Sequence, residues 1–292
     1  MEYQVTHTTR YIYHQPVTLC HNMAKLLLRN INGQHCKHAS VVITPEPDVL
    51  QEYDDYFGNR VIYFAIQKEH KALTVTIQST VEKYIQQTPT FNFYKHIAWE
   101  ETKRLMAEAG DENFEARQYV YETPYTKITN EIIQYAWQSF TPGRSLFEAA
   151  AHIMQRIYTE FEYDPEFTTI ATPLSKVMRE RKGVCQDFAH LAIACFRAMG
   201  LPAKYVSGYL ETLPPEGKEK LIGVDASHAW FSVYIPNAGW FDFDPTNNIM
   251  PALQHITIGW GRDYADVTPL KGVIQSSGAH ELSVAVDVKR MA

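Results

Sequence analysis

The chain is poor in cysteine: it has four in 292 residues, and no two of them form a C-x-x-C pair. That excludes a disulfide scaffold and the common dithiol redox motif. No stretch approaches the ~18 consecutive apolar residues of a membrane helix, so no membrane partner is expected. Basic residues form no block and the net charge is −6. An electrostatic footprint for nucleic acid is therefore missing. There is no Gly-rich phosphate loop; Gly58-Asn59 and Gly208-Tyr209 read as turns, and no cofactor is expected. Internal repeats and low-complexity tracts are also missing. The N-terminus, Met-Glu-Tyr-Gln-Val-Thr-His, has no basic region leading into an apolar one. A cytoplasmic location with reduced thiols is the expectation.

What is present is apolar and aromatic: 45% hydrophobic residues, with eighteen Tyr and fourteen Phe. That is enough for one large core or two moderate ones, and the aromatics suit half-buried sheet. From residue 3 to about 85 the pattern is one of strands. Val5, His7, Thr9, Tyr11 and Tyr13 alternate with their neighbours. Ser40–Thr44, Val61–Ile66 and Leu73–Ile77 follow, with Phe57-Gly-Asn-Arg60 as a turn signal between them. The spacing predicts an all-β, sandwich-like module over 1–88.

The texture changes at Thr88-Pro89. Residues 96–109 and 129–140 carry helical patterns. Leu146, Ala149, Ala150, Ile153, Met154 and Ile157 define a helix from Ser145 to Phe161, with Ser145 as N-cap and Glu148 three residues on. Pro173–Arg181 reads as a short helix capped by Thr172. In the next helix Phe188, Leu191, Ala192, Cys195, Phe196 and Met199 form one stripe, stopped by Gly200-Leu-Pro202. Strand patterns return at Ala203–Leu210, Ala229–Ile235, Trp240–Phe243, His255–Ile258 and Glu281–Val288. The expected class is α+β, with a second domain over 89–292 that includes the C-terminal strands.

Cys185 lies where a polar loop, Arg181-Lys-Gly-Val, gives way to that striped helix. A thiol in the first turn feels the positive end of the helix dipole, which favours thiolate. His228 follows on one strand and Asp244 on the next. Cys, His and acid in this order are parts for thiol acyl-transfer chemistry. On the first strand His228, Trp230, Ser232 and Tyr234 share a mixed face, while Ala229, Phe231, Val233 and Ile235 share an apolar one. On the next, Trp240, Asp242 and Asp244 share a face, and Pro245 stops the strand.

His228 and Asp244 point the same way only if the connection holds an odd number of residues or the hairpin is bulged. A loop centred on Pro236 sets them directly opposite; one centred on Asn237 sets them on a diagonal. A regular two- or four-residue connection breaks the pairing. On this reading alone Asp242 rivals Asp244 as the acid. The Cys185 backbone N–H is the first oxyanion donor; Gln186, Tyr163 and the Trp side chains compete for the second. Gln186 and Trp230 are the expected substrate contacts, and Trp240 is a further wall of a groove or a packing residue.

Three blocks resemble the transglutaminase-like superfamily of papain-type thiol enzymes: Arg181-Lys-Gly-Val-Cys-Gln-Asp-Phe-Ala-His190, Ala226-Ser-His-Ala-Trp-Phe231 and Trp240-Phe-Asp-Phe-Asp-Pro-Thr-Asn247. The resemblance extends to His7-Thr-Thr-Arg-Tyr11, Phe57-Gly-Asn-Arg60 and Gly261–Leu270, as in the bacterial branch. It implies a papain/transglutaminase-like catalytic domain, with Cys185 as nucleophile, His228 as base and Asp244, before Pro245-Thr246, as orienting acid. It also implies a peptide or protein substrate, and either hydrolysis or transfer to an amine. Hydrolysis, by a peptidase or amidase, is the preferred expectation; a protein-glutamine acyltransferase or a non-catalytic peptide-binding scaffold are the alternatives.

Ordinary readings compete at each position. Cys195 lies inside the apolar stripe and reads as a small buried hydrophobe. His190 reads as a packing or capping residue, and Asp187 as a complement to the helix dipole. Cys20-His21 and His35-Cys36-Lys37-His38 lack a clean zinc spacing, so no metal is expected.

Overall fold

The computed structural model describes residues 1–85, 96–108, 113–167, 172–212, 226–276 and 278–291. Six strands open the chain: β1 Glu2–Val17, β2 Leu19–Ala24, β3 Gln34–Thr44, β4 Val49–Asp54, β5 Arg60–Ile66 and β6 His70–Lys83. β2 and β4 are additions to the sequence reading. All six residues of β4 are exposed, so it shows no apolar alternation. The expected domain boundary at Thr88-Pro89 lies outside the described residues.

The middle of the chain holds helices α1 Trp99–Ala107, α2 Phe114–Arg117, α3 Asn130–Trp137 and α4 Leu146–Glu160. Then come strand β7 Glu162–Tyr163, helix α5 Leu174–Glu180, strand β8 Lys182–Gly183 and helix α6 Cys185–Ala198. The local signals act as read: Ser145 Oγ accepts the Glu148 N–H at 3.1 Å, and Gly200 ends α6 with φ +76°. At α5 the N-cap position is Pro173, one residue beyond the expected Thr172. Strands β9 Ala203–Leu210, β10 Ala226–Ile235, β11 Gly239–Phe243 and β12 His255–Gly261 form one sheet in the order β11-β10-β9-β12. Gly208-Tyr209, read as a turn, lies inside β9, paired on both sides.

The last strands, β13 Leu270–Gln275 and β14 His280–Arg290, correct the 89–292 assignment. They do not extend the sheet formed by β9–β12. β14 pairs with β1 along eleven positions, and β13 pairs with β2. The β module is thus two four-stranded sheets, β14-β1-β6-β3 and β13-β2-β5-β4. They enclose one core through Tyr13, Val17, Leu27, Phe64, Ile66 and Val75. Alternation marks a strand but not its partner, so a pairing across some 280 residues left no local trace.

A second core joins α3, α4 and α6 to the β9–β12 sheet. α6 is buried on nearly every side from Asp187 to Arg197, because its predicted stripe faces only part of what surrounds it. Fully burying each of its large apolar side chains contributes ~1.5–3 kcal/mol. Its one buried guanidinium, Arg197, is satisfied by Tyr119 O, Thr126 Oγ1, Ala203 O and Arg262 O. A third cluster, with Tyr3, Val5 and Val288 on one side and Tyr209, Ile256 and Ile258 on the other, fastens the two units together.

Asn59 and Gln34 complete that fastening with hydrogen bonds to the backbone of β12. Asn59 donates to Trp260 O and accepts from its N–H; Gln34 does the same with Thr257. The Phe57-Gly-Asn-Arg60 segment is therefore a docking element as well as a turn.

Candidate active site

Cys185 is the first residue of α6, half-buried against the helical core. The Asp187 carboxylate folds back to accept the Val184 N–H at 2.9 Å. It complements the helix start as expected, and it needs the space that Gly183 leaves. A Cβ at Gly183 would lie 2.9 Å from Asp187 Cβ. The Cys185 N–H, at the head of the helix, has no intrahelical acceptor and can donate to an oxyanion. Gln186 sits half-buried beside it. Tyr163, half exposed, is near enough that the Cys185 charge adds to burial in raising its phenol.

His228 and Asp244 come from the β10–β11 hairpin. Its register runs from Phe231 opposite Phe243 to Ile235 opposite Gly239. The connection is therefore three residues, 236–238, centred on Asn237 at φ 63°. An odd loop meets the parity condition, and its centre selects the diagonal arrangement. His228 Nε2 lies 2.8 Å from Asp244 Oδ2. The carboxylate has no proton to give, so Nε2 donates. The Cys185 side chain lies close enough to this imidazole to act on it electrostatically. The three expected residues thus form one chain of contacts.

Burial disfavours a charged imidazole, but the hydrogen bond to Asp244 and the proximity of the Cys185 side chain outweigh it and raise His228 from 6.5 to about 10. Burial likewise pushes the Asp244 carboxyl up. Donors from His228, His255 and Asn247 overcome that and hold it well below the usual carboxylate range.

Asp244 is fully buried and accepts five hydrogen bonds. Oδ2 takes His228 Nε2, Asn247 Nδ2 at 2.7 Å and His255 Nε2 at 3.0 Å; Oδ1 takes the N–H groups of Thr246 and Asn247. This set, and not its place before Pro245 alone, separates Asp244 from Asp242. Asp242 accepts Trp230 Nε1 at 3.0 Å.

His255 and Asn247 were missed as site residues. Asn247 ends the Trp240–Asn247 segment, three residues past the acid. His255 looked like an ordinary strand start. It meets the site because β9, which lies between β10 and β12, carries Gly208 opposite His228 and Thr257. With no side chain there, the Trp230 indole lies over the strand: a Cβ on Gly208 would be 2.4 Å from Trp230 Cη2. His228 and His255 then come within 6.0 Å, centroid to centroid.

Trp230, expected to touch substrate, is fully buried. Its ring packs against His228 and edge-on to His255, so in this structure it supports the two imidazoles and faces no groove. His190 is buried, stacked on Tyr125 and Tyr205, and accepts the Tyr264 N–H through Nε2. Burial and Arg197 lower it to about 3, and it takes no part in the chain. Burial pushes the Cys195 thiol up to about 12.

The Cys20 thiol contacts His70, and His35 and His38 are exposed along β3, so the sequence's best histidine cluster does not converge. His228, Asp244 and His255 do converge. Their donor atoms, however, are at hydrogen-bond separations of 2.8 and 3.0 Å. A tetrahedral zinc with bonds of ~2.0–2.1 Å would spread its ligands to ~3.3 Å, so the trio is packed as a proton network.

Comparisons with known proteins agree with this architecture. Residues 3–82 match the model of the bacterial transglutaminase-like N-terminal region, and residues 133–245 match that of the transglutaminase-like superfamily. An uncharacterized protein of Mycobacterium tuberculosis is 40% identical over 98% of this chain and 92% of its own length. A protein-glutamine gamma-glutamyltransferase of Pseudomonas aeruginosa is 30% identical over 35% of this chain and 16% of its own. A crystal structure from Cytophaga hutchinsonii, described as a candidate cysteine protease, superimposes with a TM-score of 0.77 at 22% identity. It covers 100% of this chain and 92% of its own, and so shares the fold. With strands, helices and the Cys185, His228 and Asp244 blocks all in place, the chain belongs to the transglutaminase-like superfamily and carries the bacterial N-terminal region of that family.

Proposed function

We propose that the protein is a thiol-dependent enzyme that cleaves amide or peptide bonds through an acyl-enzyme on Cys185. The observation that carries this reading is the imidazole of His228, held by the buried carboxylate of Asp244 at 2.8 Å and close enough to the Cys185 side chain for the two to interact electrostatically. His228 takes the thiol proton, and the sulfur attacks the carbonyl carbon. The Cys185 N–H faces the oxygen that becomes negative. The imidazolium returns its proton to the departing amine as the C–N bond breaks, leaving a thioester. Water, deprotonated by His228, then attacks the thioester; the acid leaves and the thiol is restored. Asp244 stays ionised throughout, holding the ring's orientation and its positive charge.

A second reading differs in the last step only: a primary amine, and not water, attacks the thioester. The partial similarity to the P. aeruginosa gamma-glutamyltransferase favours keeping it. Alkylation by iodoacetamide, followed by intact mass across pH, tests the common part. One thiol is expected to react fast, to vanish in Cys185→Ala and to slow in His228→Ala. Equal labelling of several thiols, or a rate indifferent to His228, would overturn the assignment. A panel of peptide amides, incubated with and without a primary amine, then separates hydrolysed from amine-bearing products.

A further inference from the structure

The face of the sheet that carries His228, Asp244 and His255 continues past Trp230 into a second cavity, of about 450 Å3. Lys204 of β9, Trp240 and Asp242 of β11, and Trp260 of β12 line it, together with Tyr119 and Glu115. The β module contributes Ile31 and Asn32 to the rim. A register shift between Thr257 and Gly259 lets β12 present Thr257 and Trp260 on the same face. Asn59 pins the shifted segment from the module's side, where a Cβ on Gly259 would lie 2.5 Å from Asn59 Oδ1.

Lys204 is the unusual occupant of this wall. It is only 4% exposed. Its Nζ lies 3.8 Å from the Trp260 ring centroid and 4.3 Å from that of Trp240. Among the described residues it makes no hydrogen bond and no ion pair. Ring faces offset only part of the hydration that an ammonium on so buried a side chain gives up. Burial draws Lys204 down to about 7 against the opposing pull of Asp242 and Glu115. The cavity also holds two carboxylates. Asp242 has one oxygen engaged by Trp230 Nε1, and Glu115 is exposed at the mouth. One buried positive group, two negative groups and three aromatic rings thus face the same space.

We propose that this cavity binds a small zwitterion of the amino-acid or dipeptide class. Its carboxylate meets Lys204, its ammonium meets Asp242 and Glu115, and its side chain packs on Trp240, Trp260 and Tyr119. The site does not depend on turnover at Cys185, so it goes beyond the acyl-transfer reading. A ligand there sits one indole away from His255, since Trp230 bridges Asp242 and the buried histidines.

Isothermal titration of the full chain tests this with four probes: l-leucine, glycyl-l-leucine, N-acetyl-l-leucine and l-leucinamide. The two zwitterions are expected to bind. The acetylated acid, which lacks the ammonium, and the amide, which lacks the carboxylate, are each expected to bind about tenfold more weakly or worse, the fold-change for one charge-assisted hydrogen bond. Lys204→Met should weaken leucine by a similar factor, and Cys185→Ala should bind it as the unaltered protein does. Should Lys204→Met fail to fold, the ranking of the four probes on the unaltered protein still decides. Binding of none of them, equal binding of all four, or loss of binding in Cys185→Ala would each overturn the proposal.

Discussion

Replacing His255 by Phe isolates what the second imidazole does for Asp244. The ring shape is retained against Trp230, with its edge contact at 5.3 Å, while the donor at 3.0 Å from Asp244 Oδ2 is lost. A hydrogen bond to an ionised group is worth ~1.5–3 kcal/mol, which at ~1.4 kcal/mol per decade is a factor of ~10 to ~150 in rate. Four donors remain on the carboxylate, so the lower end is expected, about tenfold. The rate constant for alkylation of Cys185 by iodoacetamide reads it without knowledge of a substrate. Direction in pH is the sharper readout. His255 is one of the donors that hold the Asp244 carboxyl low, so its loss moves the acid limb of the profile to higher pH. His255→Gln, which keeps an amide donor, should recover part of the rate and shift the limb back. A profile that His255→Phe leaves unchanged, beside a clear loss in Asp244→Asn, would reduce His255 to a packing residue.

Gly208→Ala should cost about 3 kcal/mol and silence Cys185 alkylation together. Its Cβ would meet Ile256 O at 2.3 Å, which is backbone and cannot swing away, as well as Trp230; urea unfolding measures the first effect, and near-native stability would refute the geometry. Phe196→Ala removes a fully buried ring from the helical core and should lower unfolding free energy by ~3–5 kcal/mol with an unchanged urea m-value. Stability should peak near pH 6.5. His7 is lowered to about 4 by burial and His190 to about 3. Each takes up a proton more readily unfolded than folded, so each lowers stability by ~1.4 kcal/mol per pH unit as pH falls below 6.5 towards its folded value. His228 is raised, so its contribution is complete below 6.5 and is lost as pH climbs towards about 10. Urea titrations at several pH values should show His190→Gln flattening the acid side and His228→Gln flattening the alkaline side; a monotonic profile would contradict both.

What the sequence disclosed and what it withheld divide by the distance over which each signal acts. The Ser145 cap, the Gly200 stop and the parity of the 236–238 loop are fixed within a few residues, and each carried through to the structure. From loop parity alone followed a condition on His228 and Asp244, residues sixteen apart, and the diagonal solution is the one found. Beyond the hairpin the local rules fall silent. Nothing in the alternation of β14 names β1 as its neighbour, and nothing in the run from His255 says that β12 lies across β9 from His228. The information that assembles the site is instead held by a residue with no side chain. Gly208 has His228 on one flank and Thr257 on the other, and the Trp230 ring occupies the space above it. A glycine inside a strand weakens it and marks close approach by other groups. Read in that way, and not as a turn, Gly208 would have pointed to the missing histidine: the position where two neighbouring strands can bring their side chains over the middle one is where His255 reaches Asp244.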